Sequence, residues 1–308
     1  MDSRSVTFQV EVGGGRRLEL PDKPSIRVCT FISPKVHFVG VGKANMGSGI
    51  SKETEEKIEQ IRRNEGDSLG TNVWFGQENL RDAGTRLLSE ALIHNKTIKT
   101  ISLWNNGVGS EGAKALAEAL KHNGTLEKIF LARNMIGIEG AKRLSEALPL
   151  NYALQSLDIR GNCIGKEGAI ALSEALKRNK ALRVLIIPDN KIGNEGAKAL
   201  SEALKHNNTL QEMIMDNNNI GDGGAMALRQ TLKQNSTLQK IYLGGNKIGV
   251  DSVLALIDTL RDWNGTLTQL YLVGNPGWNE HPIDAEIHQL EKRNSEGKGP
   301  AANRRATG

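Results

Sequence analysis

The chain has 308 residues, 38% hydrophobic, 24% charged and only 4% aromatic, a composition that excludes disorder along its whole length. Its net charge of +5 comes from 40 basic against 35 acidic residues, with no long Lys/Arg run inside the patterned region. That balance argues against nucleic acid or an anionic membrane as partner, because both need concentrated positive charge. Cys29 and Cys163 are too few for a disulfide scaffold or a four-ligand zinc site, so a reducing, intracellular compartment, the cytoplasm, is expected. The opening Met1-Asp2-Ser3-Arg4 leads into no apolar leader, and no stretch approaches the roughly 18 to 20 apolar residues of a membrane span. Asn-x-Thr triplets at Asn95 and Asn123 have no meaning as glycan acceptors without secretion.

In chain order, residues 7–12 and 16–20 flank Gly13-Gly14-Gly15 and read as a β-hairpin with a flexible tip. Residues 26–41 hold further strand-like runs, and 52–63 predict a charged helix. None of 1–69 fits the pattern that follows, so it reads as an N-terminal non-repeat segment, either a cap on the first unit or a docking arm. Gly40-Val41-Gly42-Lys43-Ala44 has neither the first Gly nor the Ser/Thr of a phosphate loop.

From residue 70 the chain repeats itself. Leu126, Leu154, Leu182, Leu210 and Leu238 stand 28 residues apart, and Leu267 follows after 29. Ile98 opens an equivalent unit, and Val73, Phe75, Leu80, Gly84, Leu88 and Leu92 hold the same places in a degraded one, making eight strand-forming units. Each opens with alternating residues such as Leu157 and Ile159, the signature of a short strand. Then comes an Asn (Asn106, Asn134, Asn162, Asn190, Asn218, Asn246, Asn275) whose amide can satisfy loop backbone as a stacked ladder. Gly109, Gly137, Gly165, Gly193, Gly221 and Gly249 suit a tight turn. A helix follows on an Ala/Leu face, with Glu in its first turn and Lys, His or Arg in its last. No unit can bury its apolar face alone, so stacking builds one continuous core.

The consensus Leu-x-x-Leu-x-Leu-x-x-Asn-x-Ile-Gly-x-Glu-Gly-Ala resembles the ribonuclease-inhibitor class of leucine-rich repeats, shared by NLR sensor domains and Ran GTPase-activating proteins. The resemblance spans residues 70–276. It implies an α/β solenoid, a horseshoe with parallel strands on its concave face and helices on its convex face. It implies little about function, because the class hosts many unrelated partners.

After Pro276, residues 284–293 predict a capping helix that closes a repeat domain of residues 70–293. Residues 294–308 read as a disordered basic tail. The calcium-like run from Asp216 to Gly221 has Ile220 and Ala227 where oxygen ligands should stand. His94, His122 and His206 recur at helix ends by repeat symmetry, which explains them without a metal. No nucleophile or metalloprotease motif occurs, so no catalytic residue, metal or cofactor is expected.

The residue between the two core positions of each strand must face the concave surface. That column runs Trp74, Ser102, Phe130, Asp158, Ile186, Ile214, Tyr242 and Tyr271, and the next outward column includes Trp104 and Arg160. The expected partner-binding residues are therefore Trp74, Trp104, Phe130, Asp158, Arg160, Ile186, Ile214, Tyr242 and Tyr271. Aromatic residues anchor interfaces, so the expected function is a protein-interaction module or scaffold subunit and not an enzyme. The alternative is an accessory GTPase activator, for which Arg133 and Arg160 would be the arginines to consider. Sequence alone names neither the partner nor the oligomeric state.

Overall fold

The computed structural model describes residues 49–64, 70–278, 282–298 and 300. The expected hairpin, the strand-like runs of 26–41 and most of the basic tail lie outside these residues. Helix α1 (Lys52–Arg62) precedes eight strand units. The strands are β1 (Asn72–Trp74), β2 (Thr100–Ser102), β3 (Lys128–Phe130), β4 (Ser156–Asp158), β5 (Val184–Ile186), β6 (Glu212–Ile214), β7 (Lys240–Tyr242) and β8 (Gln269–Tyr271). Between them run α2 (Arg81–His94), α3 (Ser110–His122), α4 (Gly137–Ala147), α5 (Gly165–Arg178), α6 (Gly193–Leu204), α7 (Asp222–Leu232) and α8 (Val250–Asp262); α9 (Pro282–Ser295) follows β8. All eight strands pair in parallel and in sequence order. No helix among the described residues is long and apolar enough to cross a membrane.

The alternation of each strand sends one residue inward. Ile101, Ile129, Leu157, Leu185, Met213 and Ile241 are wholly buried, and the helices contribute Leu116, Leu144, Leu172, Leu200, Leu228 and Leu256 to the same core. Helices of successive units pack this closely because residues at their contact are small. A Cβ added to Gly140 would lie 2.6 Å from Ile136 Cγ2 and 2.9 Å from the Cβ of Ala113. The consensus Glu-Gly-Ala is thus a packing requirement as much as a helix start.

The turn glycines divide into two kinds. Gly137, Gly165 and Gly193 have φ of 63°, 63° and 61°, a left-handed conformation that glycine adopts without strain. Gly109, Gly221 and Gly249 are extended caps with negative φ. There a side chain from the preceding unit accepts the amide: Asp82 Oδ1 from Gly109 N at 2.7 Å, Asn194 Oδ1 from Gly221 N at 2.7 Å and Asp222 Oδ1 from Gly249 N at 2.8 Å.

The expected Asn ladder is present. Asn190 Nδ2 donates to the carbonyls of Ile159, Ile187 and Pro188 at 3.0, 3.1 and 3.0 Å, while its Oδ1 accepts from Asn162 N at 3.0 Å. Asn218, within the calcium-like run, serves the same ladder by accepting from Asn190 N at 2.9 Å. At the opposite ends of the strands runs a second ladder: Asn95, Asn123, Asn151, Asn179, Asn207, Asn235 and Asn264, all buried. Each caps its own next turn and donates backward: Asn123 Nδ2 donates to Leu92 O at 2.6 Å, and Asn123 Oδ1 accepts from Leu126 N at 2.7 Å. The Asn95 and Asn123 triplets are therefore buried ladder members.

At the first unit, α1 lies in the same compact unit as the repeats, residues 41–308. It buries Ile58 and Ile61, and Ile61 O accepts from Asn95 Nδ2 at 2.7 Å, as a preceding repeat helix would. Glu78, which stands where the first ladder expects Asn, instead holds Lys57 Nζ at 2.8 Å. At the far end α9 runs to Ser295, two residues past the boundary read from sequence, and buries Ile287, Leu290 and Asn294. Asn294 Nδ2 donates to Asn264 O and Leu267 O at 3.1 and 2.8 Å, and Arg293 Nη2 donates to Leu260 O at 2.6 Å.

Candidate functional site

The strand register assembles the outward column into one row. Trp74, Ser102, Phe130, Asp158, Ile186, Ile214, Tyr242 and Tyr271 are successive pairing partners across β1 to β8. The row lies on the sheet face opposite the buried strand residues. At its β1 end Trp74 is 42% exposed, and its ring stacks on that of Phe130 at 6.2 Å between centroids, 15° from parallel. Ser102, between them, is small enough to be covered, leaving it 5% exposed. Trp104 stands two residues past Ser102, the end of β2, with the Arg133 guanidinium 6.0 Å from its ring centroid.

The centre of the row is closed. Asp158 is 2% and Ile186 8% exposed, so neither offers the contact surface expected of it. Asp158 is sealed by Arg160, whose Nε lies 3.0 and 2.9 Å from its two oxygens and whose Nη2 lies 2.8 Å from Oδ2. Asp158 Oδ1 also accepts from Arg160 N at 3.1 Å. Burial alone would lower the Arg160 pKa; Asp158, with the fields of Asp189 and Asp216, outweighs it and raises the value.

Beyond the centre the face opens again through Ile214, Tyr242 and Tyr271. The two tyrosine rings lie 6.1 Å apart at 42°, and Tyr242 Oη donates to Gln269 Oε1 at 2.7 Å. Asp216, absent from the expected set, sits beside them. Its Oδ1 accepts from Gly244 N at 2.6 Å, and burial pushes its carboxyl up to about 6. Asp189 is also raised, again by burial, against the pull of Asn217, Arg133 and Arg160. Burial, then Glu212, Asp216 and Glu291, push the Tyr242 hydroxyl to about 12. Burial and Asp216 raise Tyr271. These carboxylates give the β6–β8 end a negative field.

Gly244 explains the closeness of Asp216 and Tyr271: a Cβ there would lie 2.7 Å from both Asp216 Oδ1 and Tyr271 Cε1. The sequence signal for Asp216 was its place in the second outward column beside a glycine of the next unit. Its burial was not readable without coordinates. Past Tyr271, a cavity of about 160 Å³ opens between β8 and α9, lined in part by Tyr242, Gln269, Trp278, His288 and Glu291. Glu291 Oε1 accepts from Leu270 N at 2.7 Å, tying α9 to the last strand.

The repeats are leucine-rich repeats: residues 94–117, 153–173, 178–201, 206–228 and 234–256 match the family model described as Leucine Rich repeat. No curated protein sequence matches the chain. Among solved structures, the leiomodin-1 actin-binding site 2 is similar over 52% of this chain and 91% of that one, at 19% identity and a TM-score of 0.46. The tropomodulin C-terminal domain of Caenorhabditis elegans is similar over 50% of this chain and 93% of that one, at 20% identity and a TM-score of 0.43. Likeness at this level carries nothing about what this chain binds.

Proposed function

We propose that this chain is a non-enzymatic protein-interaction module, a scaffold subunit of ribonuclease-inhibitor-type repeats, that holds a protein partner on the outer face of its sheet. The observation behind this reading is the row of aromatic side chains, with the Trp74–Phe130 stack at one end and the Tyr242–Tyr271 pair at the other. Contiguous apolar area left open on a folded surface marks an interaction site, and aromatic residues supply its anchors. Trp104 and Ile214 extend the two ends, while Asp158, Arg160 and Ile186 form the stiff middle. A GTPase-activator reading would rest on Arg133, which lies over the Trp104 ring, since the Arg160 guanidinium is engaged by Asp158.

Capture of the native partner by the wild-type chain, by Trp104→Asp and by Tyr242→Asp tests the proposal, with each variant's melt checked first. Loss of the same partner from both folded variants is expected. Undiminished recovery by both would place the interface elsewhere.

A further inference from the structure

The two ends of the outer face differ in charge. At the β1–β3 end the groups around the aromatics include the cations Lys99, Lys128 and Arg133. Lys99 is partnered by Glu127 at 3.0 Å, and Arg133 lies over Trp104. At the β6–β8 end the aromatics are bordered by carboxylates instead. In the closed centre, Arg160 faces Asp158, Asp189 and Asp216, and pairs within 4.0 Å with Asp158 alone among the described residues. Asp216 spends one oxygen on Gly244 N. Glu212 has Lys240 at a loose 3.7 Å, and Glu291 lies on the far side of the same tyrosines, in the cavity wall.

A cation brought here would meet negative charge on both sides of two tyrosine faces, in a half-buried setting where such contacts are screened less than in water. The cavity beside Tyr242 and Tyr271 gives an extended side chain room next to both rings. We infer that the β6–β8 end of the outer face takes a basic segment of the protein partner, seating an arginine or lysine against Asp216, Tyr242 and Tyr271. An acidic segment is repelled by the same groups, so the two ends of the row select the partner's orientation by charge. This inference rests on the outer face being the interface.

The probe is a fluorescein-labelled octa-arginine peptide titrated into the full chain and read by anisotropy, with octaglutamate and an octameric Gly-Ser peptide as comparisons. Saturable binding of octa-arginine, absent for the other two, is expected. Asp216→Asn and Tyr242→Leu should each weaken it by roughly five- to tenfold, the scale of one partly desolvated charge or cation–π contact. Tyr152→Ala, an exposed aromatic outside the row, should leave it unchanged. Equal affinity for octa-arginine and the Gly-Ser peptide, or octa-arginine binding indifferent to Asp216→Asn in a folded variant, would overturn the inference. The Trp104→Asp capture assay reads the face at its opposite end, so the broader proposal and this one can fail separately.

Discussion

The rings of Trp74 and Phe130 stack although they belong to strands that are not neighbours, with β2 and its Ser102 between them. A small residue in the middle lets two large ones close over it. Ring pairs of this kind contribute about 0.5–1.5 kcal/mol beyond their buried area. A double-mutant cycle of Trp74→Ala and Phe130→Ala, followed by urea denaturation, should return a coupling energy in that range. Additive single effects would mean the stack contributes shape to the surface and no stability.

The first Asn ladder carries more of the fold. Asn190→Ala would leave five backbone groups without their side-chain partner, because its amide donates three bonds and accepts from Asn162 N and Ile164 N. Leaving buried polar groups unsatisfied costs about 1–3 kcal/mol each, so a loss of at least ~3 kcal/mol is expected in chemical denaturation. Asn179→Ala, in the second ladder, should cost a similar amount, since Asn179 donates to Leu148 O and caps Leu182 N. A variant at either position that melts like the wild type would reduce the ladder to decoration.

Asp216 makes stability depend on pH in an unusual direction. Burial raises its folded pKa to about 6 from the ordinary 3.8, so the folded chain holds a proton that the unfolded chain has released. The stabilisation from this group is fully present below about pH 4 and disappears as pH rises through about 6. Asp216→Asn keeps an oxygen for Gly244 N without the charge. It should therefore stabilise the protein by roughly 1 kcal/mol at pH 7.5 and by nothing at pH 4, after discounting for partial solvent screening. Melts of both chains across that range check the sign. An Asn variant less stable at pH 7.5 would contradict it.

Helix α1 is expected to hold the first unit closed. Ile61 is 1% exposed, and its carbonyl completes the bond to Asn95. Ile61→Ala should cost about 2–4 kcal/mol, the range for a large aliphatic side chain removed from a packed site. Deleting residues 1–64 should lower the melting temperature further by uncovering Phe75 and Leu92. An unchanged melt for the deletion would make that segment an arm with another purpose. Removing residues 296–308 should leave the melt nearly unaltered, since the chain would still end on Asn294 and Ser295.

Much of this was legible in the sequence because a repeat reports its own register. The 28-residue spacing aligned Trp74 with Tyr271 across eight strands before any coordinates, and period-two alternation put both on the same face. What escaped notice was what depends on neighbours. The second ladder stood in plain view three residues before each opening leucine, but Asn95 and Asn123 looked like isolated triplets until their bonds to Ile61 O and Leu92 O were visible. Alternation points Asp158 outward, yet it cannot reveal that Arg160 folds over it. Asp216 is one more loop carboxylate until Gly244 lets Tyr271 press against it.

An array of identical units contains no instruction about when to stop, because each unit presents the next with carbonyls waiting for an asparagine. Here Leu260 O and Asn264 O, the acceptors a further unit would have used, are taken by two adjacent side chains, Arg293 and Asn294. A guanidinium and an amide on a single helix thus imitate the arriving repeat while bringing no strand behind them. The length of the array is consequently written at its end, and a second molecule approaching there finds its socket already filled.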